Sequence, residues 1–275
     1  MIEIDRLILR LVPGVCVFCE RCRGQSHLRK HISVCYPEKG VGGKYKMTLN
    51  EMIYHRKSCR NFTGKPVDSA TIETIKSFPM KPLYPEIKVH WDIVPRNQVK
   101  CICPWTTPQL ITICSEEVEG YLENIGFLFQ QMDLYLQTLG LGVCWLGMGR
   151  MNPKTTQLVE GMKFVIMLAF GHPKGDQLRH DVKDFKRKSM EQISDKADPR
   201  LEPARLAPSA VNSQSWYFTH DGDTIHVYCS KKGSCLDAGI ALAHLYVANE
   251  ERFRFFKVEH MTDLPSYGYI GSVTL

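Results

Sequence analysis

The run Tyr121-Leu122-Glu123-Asn124-Ile125-Gly126-Phe127-Leu128-Phe129-Gln130-Gln131-Met132-Asp133-Leu134-Tyr135-Leu136-Gln137-Thr138-Leu139 decides the fold. Ile125, Leu128, Phe129, Met132, Tyr135, Leu136 and Leu139 recur at helical spacing and make a wide apolar face, with Gly140 standing at its end. The spacing predicts a buried central helix over 121–139, and a second buried helix over 235–251. Around them the pattern alternates. Helices are expected over 49–56 (capped by Thr48), 69–78 and 199–206, and strands over 89–94, 163–170 and 269–275. A hairpin of 215–220 and 224–228 turns at Asp221-Gly222-Asp223. The fold class is α+β: a sandwich with a central, mostly antiparallel sheet and the two buried helices at its heart.

Composition divides the chain. Its 275 residues, 44% hydrophobic, suffice for one large core or two modest ones. Residues 1–46 hold nine Lys and Arg against four Asp and Glu, so five of the six net positive charges fall there. A basic, Cys- and His-rich arm thus precedes a nearly neutral body, with Val41-Gly42-Gly43-Lys44 as a linker. Nucleic-acid binding, which needs a basic surface, is unlikely for the body and confined to the arm. No stretch reaches the 18 or so apolar residues of a membrane span, and Arg10 and Pro13 interrupt the apolar residues 7–18. The opening Met1-Ile2-Glu3-Ile4-Asp5 is acidic, unlike a secretory signal, so a cytoplasmic location is expected. Eleven cysteines in that compartment imply free thiols or a metal site rather than disulfides.

Two segments carry chemistry. Arg56-Lys57-Ser58-Cys59-Arg60 offers two guanidiniums and a hydroxyl at alternating positions, able to converge on an anion, although a solvated basic helix end explains the same residues. Ala207-Pro208-Ser209-Ala210-Val211-Asn212-Ser213-Gln214-Ser215-Trp216 is a loop with groups that can hydrogen-bond a polar ring edge, or an ordinary Ser/Asn-rich connector. Together they resemble the nitroreductase superfamily, with its Arg-x-Ser-x-Arg and Ala-Pro-Ser-x-x-Asn-x-Gln-x-Trp segments. Gly140-Leu141-Gly142-Val143-Cys144-Trp145-Leu146-Gly147 and Phe170-Gly171-His172-Pro173 resemble further family elements, and the likeness spans residues 47–275.

The resemblance implies one FMN, whose isoalloxazine carries the redox chemistry while the protein binds and tunes it. Arg56 and Ser58 would hold the phosphate, and Arg60 the pyrimidine end. Backbone N–H groups at Leu146 and Gly147 would face the ring, and Pro208, Ser209 and Asn212 would close over it. One departure is informative. The Pro-Ser-Asn loop follows the Arg cluster by about 150 residues, where family members have it within a few tens, and Phe78-Pro79-Met80-Lys81-Pro82-Leu83-Tyr84 stands at the ordinary place. The chain resembles the fused, internally duplicated type, with pseudo-symmetric halves of about 47–175 and 176–275 supplying both sides of a site that relatives build between subunits. A monomer would then suffice. Arg56-Lys57-Ser58 recurs as Arg187-Lys188-Ser189, and Asn124-Ile125-Gly126 is echoed by Asp237-Ala238-Gly239. The copy at Arg187, with Glu191 in place of a second arginine, is expected to be inactive.

In the arm, Cys16-x2-Cys19-x2-Cys22 with Cys35 has thiolates enough for an iron–sulfur cluster or zinc, though the Cys-Pro spacing departs from ferredoxins. Free thiols are the alternative. Three functions compete: an FMN oxidoreductase passing electrons from NAD(P)H or a ferredoxin-like donor to nitroaromatic, quinone or similar small-molecule acceptors; a flavin-modifying or flavin-binding protein; and a metal-dependent interaction module.

Overall fold

The computed structural model describes residues 47–103, 107–152 and 159–275. The chain divides into two units, Met1–Lys46 and Met47–Leu275, and the described residues belong to the second. The expected ligands Cys16, Cys19, Cys22 and Cys35 and the linker lie outside them.

Helix α1 (Leu49–Ile53) opens with a capping box in which the Thr48 hydroxyl accepts from the Glu51 N–H and the Glu51 carboxylate accepts from the Thr48 N–H. It ends three residues before the expected 56. The His55 carbonyl accepts from the Arg179 N–H, and the Arg56 carbonyl from the Arg179 guanidinium, so tertiary partners satisfy backbone that a longer helix would have used. Helix α2 (Ser69–Lys76) is capped by Asp68, and β1 (Val89–Pro95) and the short β2 (Val99–Cys101) follow. Next come β3 (Gln109–Ser115), α3 (Tyr121–Thr138), β4 (Gly142–Leu146), β5 (Gly149–Met151) and β6 (Lys163–Gly171). The second part contains α4 (Glu202–Leu206), β7 (Trp216–Asp221), β8 (Thr224–Ser230), α5 (Cys235–Ala248), β9 (Arg254–Phe256) and β10 (Tyr267–Thr274).

The antiparallel strands form two four-stranded sheets, ordered β1-β3-β6-β4 and β7-β8-β10-β9, and a small β2-β5 ribbon. If β1, β3, β4 and β6 are matched in chain order to β7, β8, β9 and β10, the two sheet orders coincide. In each, a helix separates the second strand from the third: α3 in the first set, α5 in the second. Residues of both helices and both sheets share one continuous apolar core, including Phe129, Phe170, Trp216 and Leu242.

The helices meet at glycines. A Cβ on Gly126 would lie 2.1 Å from the Leu236 carbonyl oxygen, and one on Gly239 would lie 2.1 Å from the Glu123 carbonyl oxygen. Each glycine faces the residue three places before the other, so the crossing is reciprocal. Asn124 and Asp237, each two residues before its glycine, have corresponding tasks. The Asn124 side-chain oxygen accepts from the Leu83 and Tyr84 N–H groups at 2.9 Å, and the Asp237 carboxylate accepts from the Ala210 N–H at 3.1 Å.

Candidate functional site

Residues 58 and 59 run beside β4, and 61 to 63 pair with residues 172–174 after β6. Ser58 bridges Val143 in parallel, and the Cys59 N–H donates to the Val143 carbonyl at 2.7 Å. Alternation then puts Cys59 in an apolar cluster with Cys144 and Leu146, leaving Ser58 half-buried and Arg60 exposed beside the strand that leads into Gly147. The Leu146 side chain is in that core, so only its backbone is available to a ligand. At Gly147 a Cβ would meet nothing within 4 Å, and Met148 is 67% exposed. A cavity of about 620 Å³ opens here, lined by Arg96, Cys101, Gly147, Met148 and Arg150 among others. That size suits a cofactor or small substrate.

Arg56, expected to hold the phosphate, does not stand at the surface. It is wholly buried, its Nε donating to Asp133 Oδ1 at 3.0 Å and its Nη2 reaching Asp133 Oδ2 and Ser58 Oγ at 3.4 Å each. Asp133 belongs to a closed polar network inside α3 and α5. It accepts from Gln137 Nε2 at 2.7 Å and from Gln130 Nε2 at 3.4 Å. Gln130 Nε2 also lies 3.1 Å from His244 Nε2, and Gln130 Oε1 accepts from the Trp145 indole at 3.1 Å. His244 Nδ1 is 2.8 Å from the Pro203 carbonyl, which can only accept; the proton is therefore on Nδ1, and Nε2 accepts from Gln130. Burial first, then the charges of Arg56 and Arg187, lower the His244 pKa to about 3, so the ring is neutral.

The second basic tripeptide converges on the first. Arg187, expected in a separate inactive copy, donates to the Leu206 carbonyl from Nε and Nη2 at 3.3 Å and to Asn212 Oδ1 from Nη1. Burial, then the positive charges of Arg56, Arg179 and Arg205, destabilise its cation, and burial and Arg56 act likewise on Arg179. The Phe185 ring has the Arg179 guanidinium 4.3 Å and the Arg187 guanidinium 5.8 Å from its centre. Arg205 is paired with Glu202 at 2.6 Å, but Arg179 and Arg187 have no carboxylate within 4 Å among the described residues. This excess of desolvated positive charge has Ser58 and Asn212 at its border. It is the electrostatic environment that a phosphate dianion relieves.

The Pro208–Gln214 loop is held in costly geometry. Val211, Asn212 and Gln214 have φ of 47°, 59° and 46°, in the left-handed region, where a β-branched residue is a true outlier. Many bonds hold it there. The Ser209 hydroxyl accepts from the Gln214 N–H at 2.8 Å, Gln214 Oε1 accepts from the Lys188 N–H at 2.7 Å, and Asn212 Nδ2 donates to the Lys186 carbonyl at 3.1 Å. Pro208 is buried, Ser209 half-buried and Asn212 exposed. The structure thus brings together Arg56, Ser58, Asn212 and, unforeseen, Arg179 and Arg187, while Arg60 and Gly147 stand along the β4 edge. Arg179 carries no motif, which is why the sequence pattern passed over it. Among the described residues no group of three or more His, Cys, Asp or Glu could hold a metal, and no helix is long and apolar enough to cross a membrane.

A known protein shares this architecture. The solved structure of a "putative nitroreductase" from Thermotoga maritima MSB8 superposes with a TM-score of 0.61 at 21% identity, covering 84% of this chain and 94% of that one. A nitroreductase family protein from Clostridium difficile 630 matches with a TM-score of 0.41 at 15% identity, over 53% of this chain and 96% of its own. An FMN-dependent nitroreductase from Clostridium difficile R20291 matches with a TM-score of 0.37 at 18% identity, over 48% of this chain and 94% of its own. None of the curated proteins compared with the sequence matches it. The family model described as "Putative TM nitroreductase" matches residues 48–249, most of the chain, and the protein belongs to that nitroreductase family of oxidoreductases.

Proposed function

We propose that residues 47–275 bind one FMN and reduce nitroaromatic, quinone or similar small-molecule acceptors with electrons from NAD(P)H or a ferredoxin-like donor, in the cytoplasm. The observation that carries this reading is the desolvated cluster of Arg56, Arg179 and Arg187 at Ser58, beside a β4 edge that opens at Gly147. Arg179, Arg187 and Ser58 hold the phosphate, with Arg56 contributing from beneath through its ion pair with Asp133. Asn212 fixes the Arg187 guanidinium, and the strained loop with Pro208 and Ser209 closes the site. Arg60 and the backbone of Leu146 and Gly147 serve the ring. When bound, FMN supplies the two-electron transfer chemistry, and the protein supplies orientation and electrostatics. The coincident sheet orders and the reciprocal Gly126–Gly239 crossing support reading the halves as an ordinarily dimeric fold joined in one chain. Convergence of both basic tripeptides on one locality supports a single phosphate site.

Flavin released from purified protein, or titrated into apoprotein, tests this. We expect FMN at about one equivalent per chain. No binding, or a reproducible ratio near two, overturns the assignment. Anaerobic mixing with NADH, NADPH and reduced ferredoxin in turn identifies the donor.

A further inference from the structure

Three of the described thiols are half-buried: Cys235 in α5, and Cys101 and Cys103 near the cavity at Gly147. Cys59, Cys114, Cys144 and Cys229 are buried, and burial pushes the Cys144 thiol up to about 11, as befits inert core residues. Cys101 and Cys103 are only half-buried. Cys101 ends β2, where the register sets it opposite Gly149 of β5, and it lines the cavity together with Gly147 and Met148. Two residues on, the Cys103 thiol shares a side-chain hydrogen bond with Cys101. Burial, and then that bond, push the Cys103 thiol up to about 11 against the pull of the Arg96 and Arg60 charges. Cys101 thus lines the cavity with the Cys103 thiol bonded to it. Residues i and i+2 of an extended segment project to the same side, with Cα atoms at most about 7 Å apart. A disulfide spans about 4.4–6.8 Å between Cα atoms, so a slight contraction suffices. Ile102, the residue between, is 77% exposed and free to swing outward.

We propose that Cys101, on the cavity wall, and Cys103, two residues on, form a dithiol–disulfide couple that exchanges two electrons with the flavin. The proposal rests on the flavin reading above. In the oxidising direction two S–H bonds break and one S–S bond forms; the two electrons and two protons pass to the oxidised flavin, giving the dihydroflavin. The reverse step returns them and reopens the disulfide. Such a couple would extend the acceptors from nitro and quinone compounds to disulfides, which the reduced couple opens by thiol–disulfide exchange.

The test begins with purified holoprotein oxidised by diamide and freed of excess reagent. Anaerobic reductive titration should consume two electrons per chain beyond those of its measured flavin. In Cys101→Ser and in Cys103→Ser that extra uptake should vanish while flavin content stays that of the wild type. Mass spectrometry of the peptide spanning 101–103 should show the loss of two hydrogens in the oxidised wild type alone. Uptake limited to the flavin, or the same extra uptake in both variants, overturns the proposal. The peptide measurement needs no flavin: an intact dithiol after diamide refutes the couple, whereas a disulfide in a protein that binds no FMN refutes the cofactor assignment and, with it, the flavin as electron partner.

Discussion

Replacing Arg56 with alanine is expected to damage the fold before it damages cofactor binding. Arg56 and Asp133 are both fully buried, and their contact is the 3.0 Å Nε–Oδ1 bond with a second reach at 3.4 Å. Without the guanidinium, the Asp133 carboxylate keeps only the Gln137 and Gln130 amides in an interior from which water is excluded. Breaking such a pair by removing one partner costs about 3–5 kcal/mol. In a domain of this size each kcal/mol moves Tm by about 2–4 °C, so Arg56→Ala should melt roughly 6–20 °C below the wild type. The measurement is thermal unfolding of apoprotein, which removes any stabilisation by bound flavin. Removing both charges in Arg56→Met/Asp133→Leu should recover at least about half of the loss, since an apolar pair leaves no orphaned carboxylate. An Arg56→Ala apoprotein that melts within about 2 °C of the wild type would refute the reasoning and restore Arg56 to the role of an exposed phosphate ligand.

Other outcomes follow from the same structure. Arg187→Ala should weaken FMN binding roughly ten- to hundredfold, the loss of one charge-assisted contact of about 1.5–3 kcal/mol, with little change in apoprotein melting; fluorescence titration of FMN checks it. Gly239→Ala should destabilise by at least about 1–3 kcal/mol in urea unfolding, because its Cβ would lie 2.1 Å from a backbone oxygen that no side-chain rotation can move. Asp237→Asn should be more stable than the wild type above pH 6. Burial raises the Asp237 pKa to about 6 from 3.8, so the folded state favours the protonated acid. Its favourable contribution is complete below pH 3.8 and is lost as pH rises to about 6, a span worth about 3 kcal/mol. The asparagine variant should show a flatter stability profile between pH 4 and 6, and an unchanged slope would count against the assignment.

Much of the fold was legible because its two central helices announce themselves. Residues 121–139 and 235–251 were expected as buried helices, and the structure has Tyr121–Thr138 and Cys235–Ala248. The apolar face did not reveal that the polar side of α3 is buried as well. Asn124, Gln130, Gln131, Asp133 and Gln137 would mark a solvent face on most helices, yet here each is enclosed, and all five bond to segments remote in sequence. Strand β3 was missed because Leu110 to Ser115 is buried on both faces and lacks the alternation by which a half-buried strand is recognised. Strand β4 was hidden inside a glycine-rich motif. At the site, the motif residues were recognisable but their surroundings were not. Nothing local in Arg56-Lys57-Ser58 tells that an aspartate 77 positions away takes the first guanidinium. Nor does the likeness between the two Arg-Lys-Ser tripeptides tell that the charge of Arg56 bears on Arg187. Such outcomes depend on tertiary placement, which a short motif does not encode.

The reciprocal helix crossing also bears on how this protein can change over time. In a symmetric pair of identical subunits every substitution is felt twice, once on each side of the axis, so neither copy of a site can be altered alone. Here the two sides of the α3–α5 contact are encoded separately. Gly126 and Gly239 must each stay small, because each lies against the other helix's backbone. Away from that contact the constraint lifts. Arg56 is a buried cation paired with Asp133, whereas the Arg187 guanidinium stands at the edge of the cationic cluster. On the proposed reading of two halves joined in one chain, their association is independent of protein concentration.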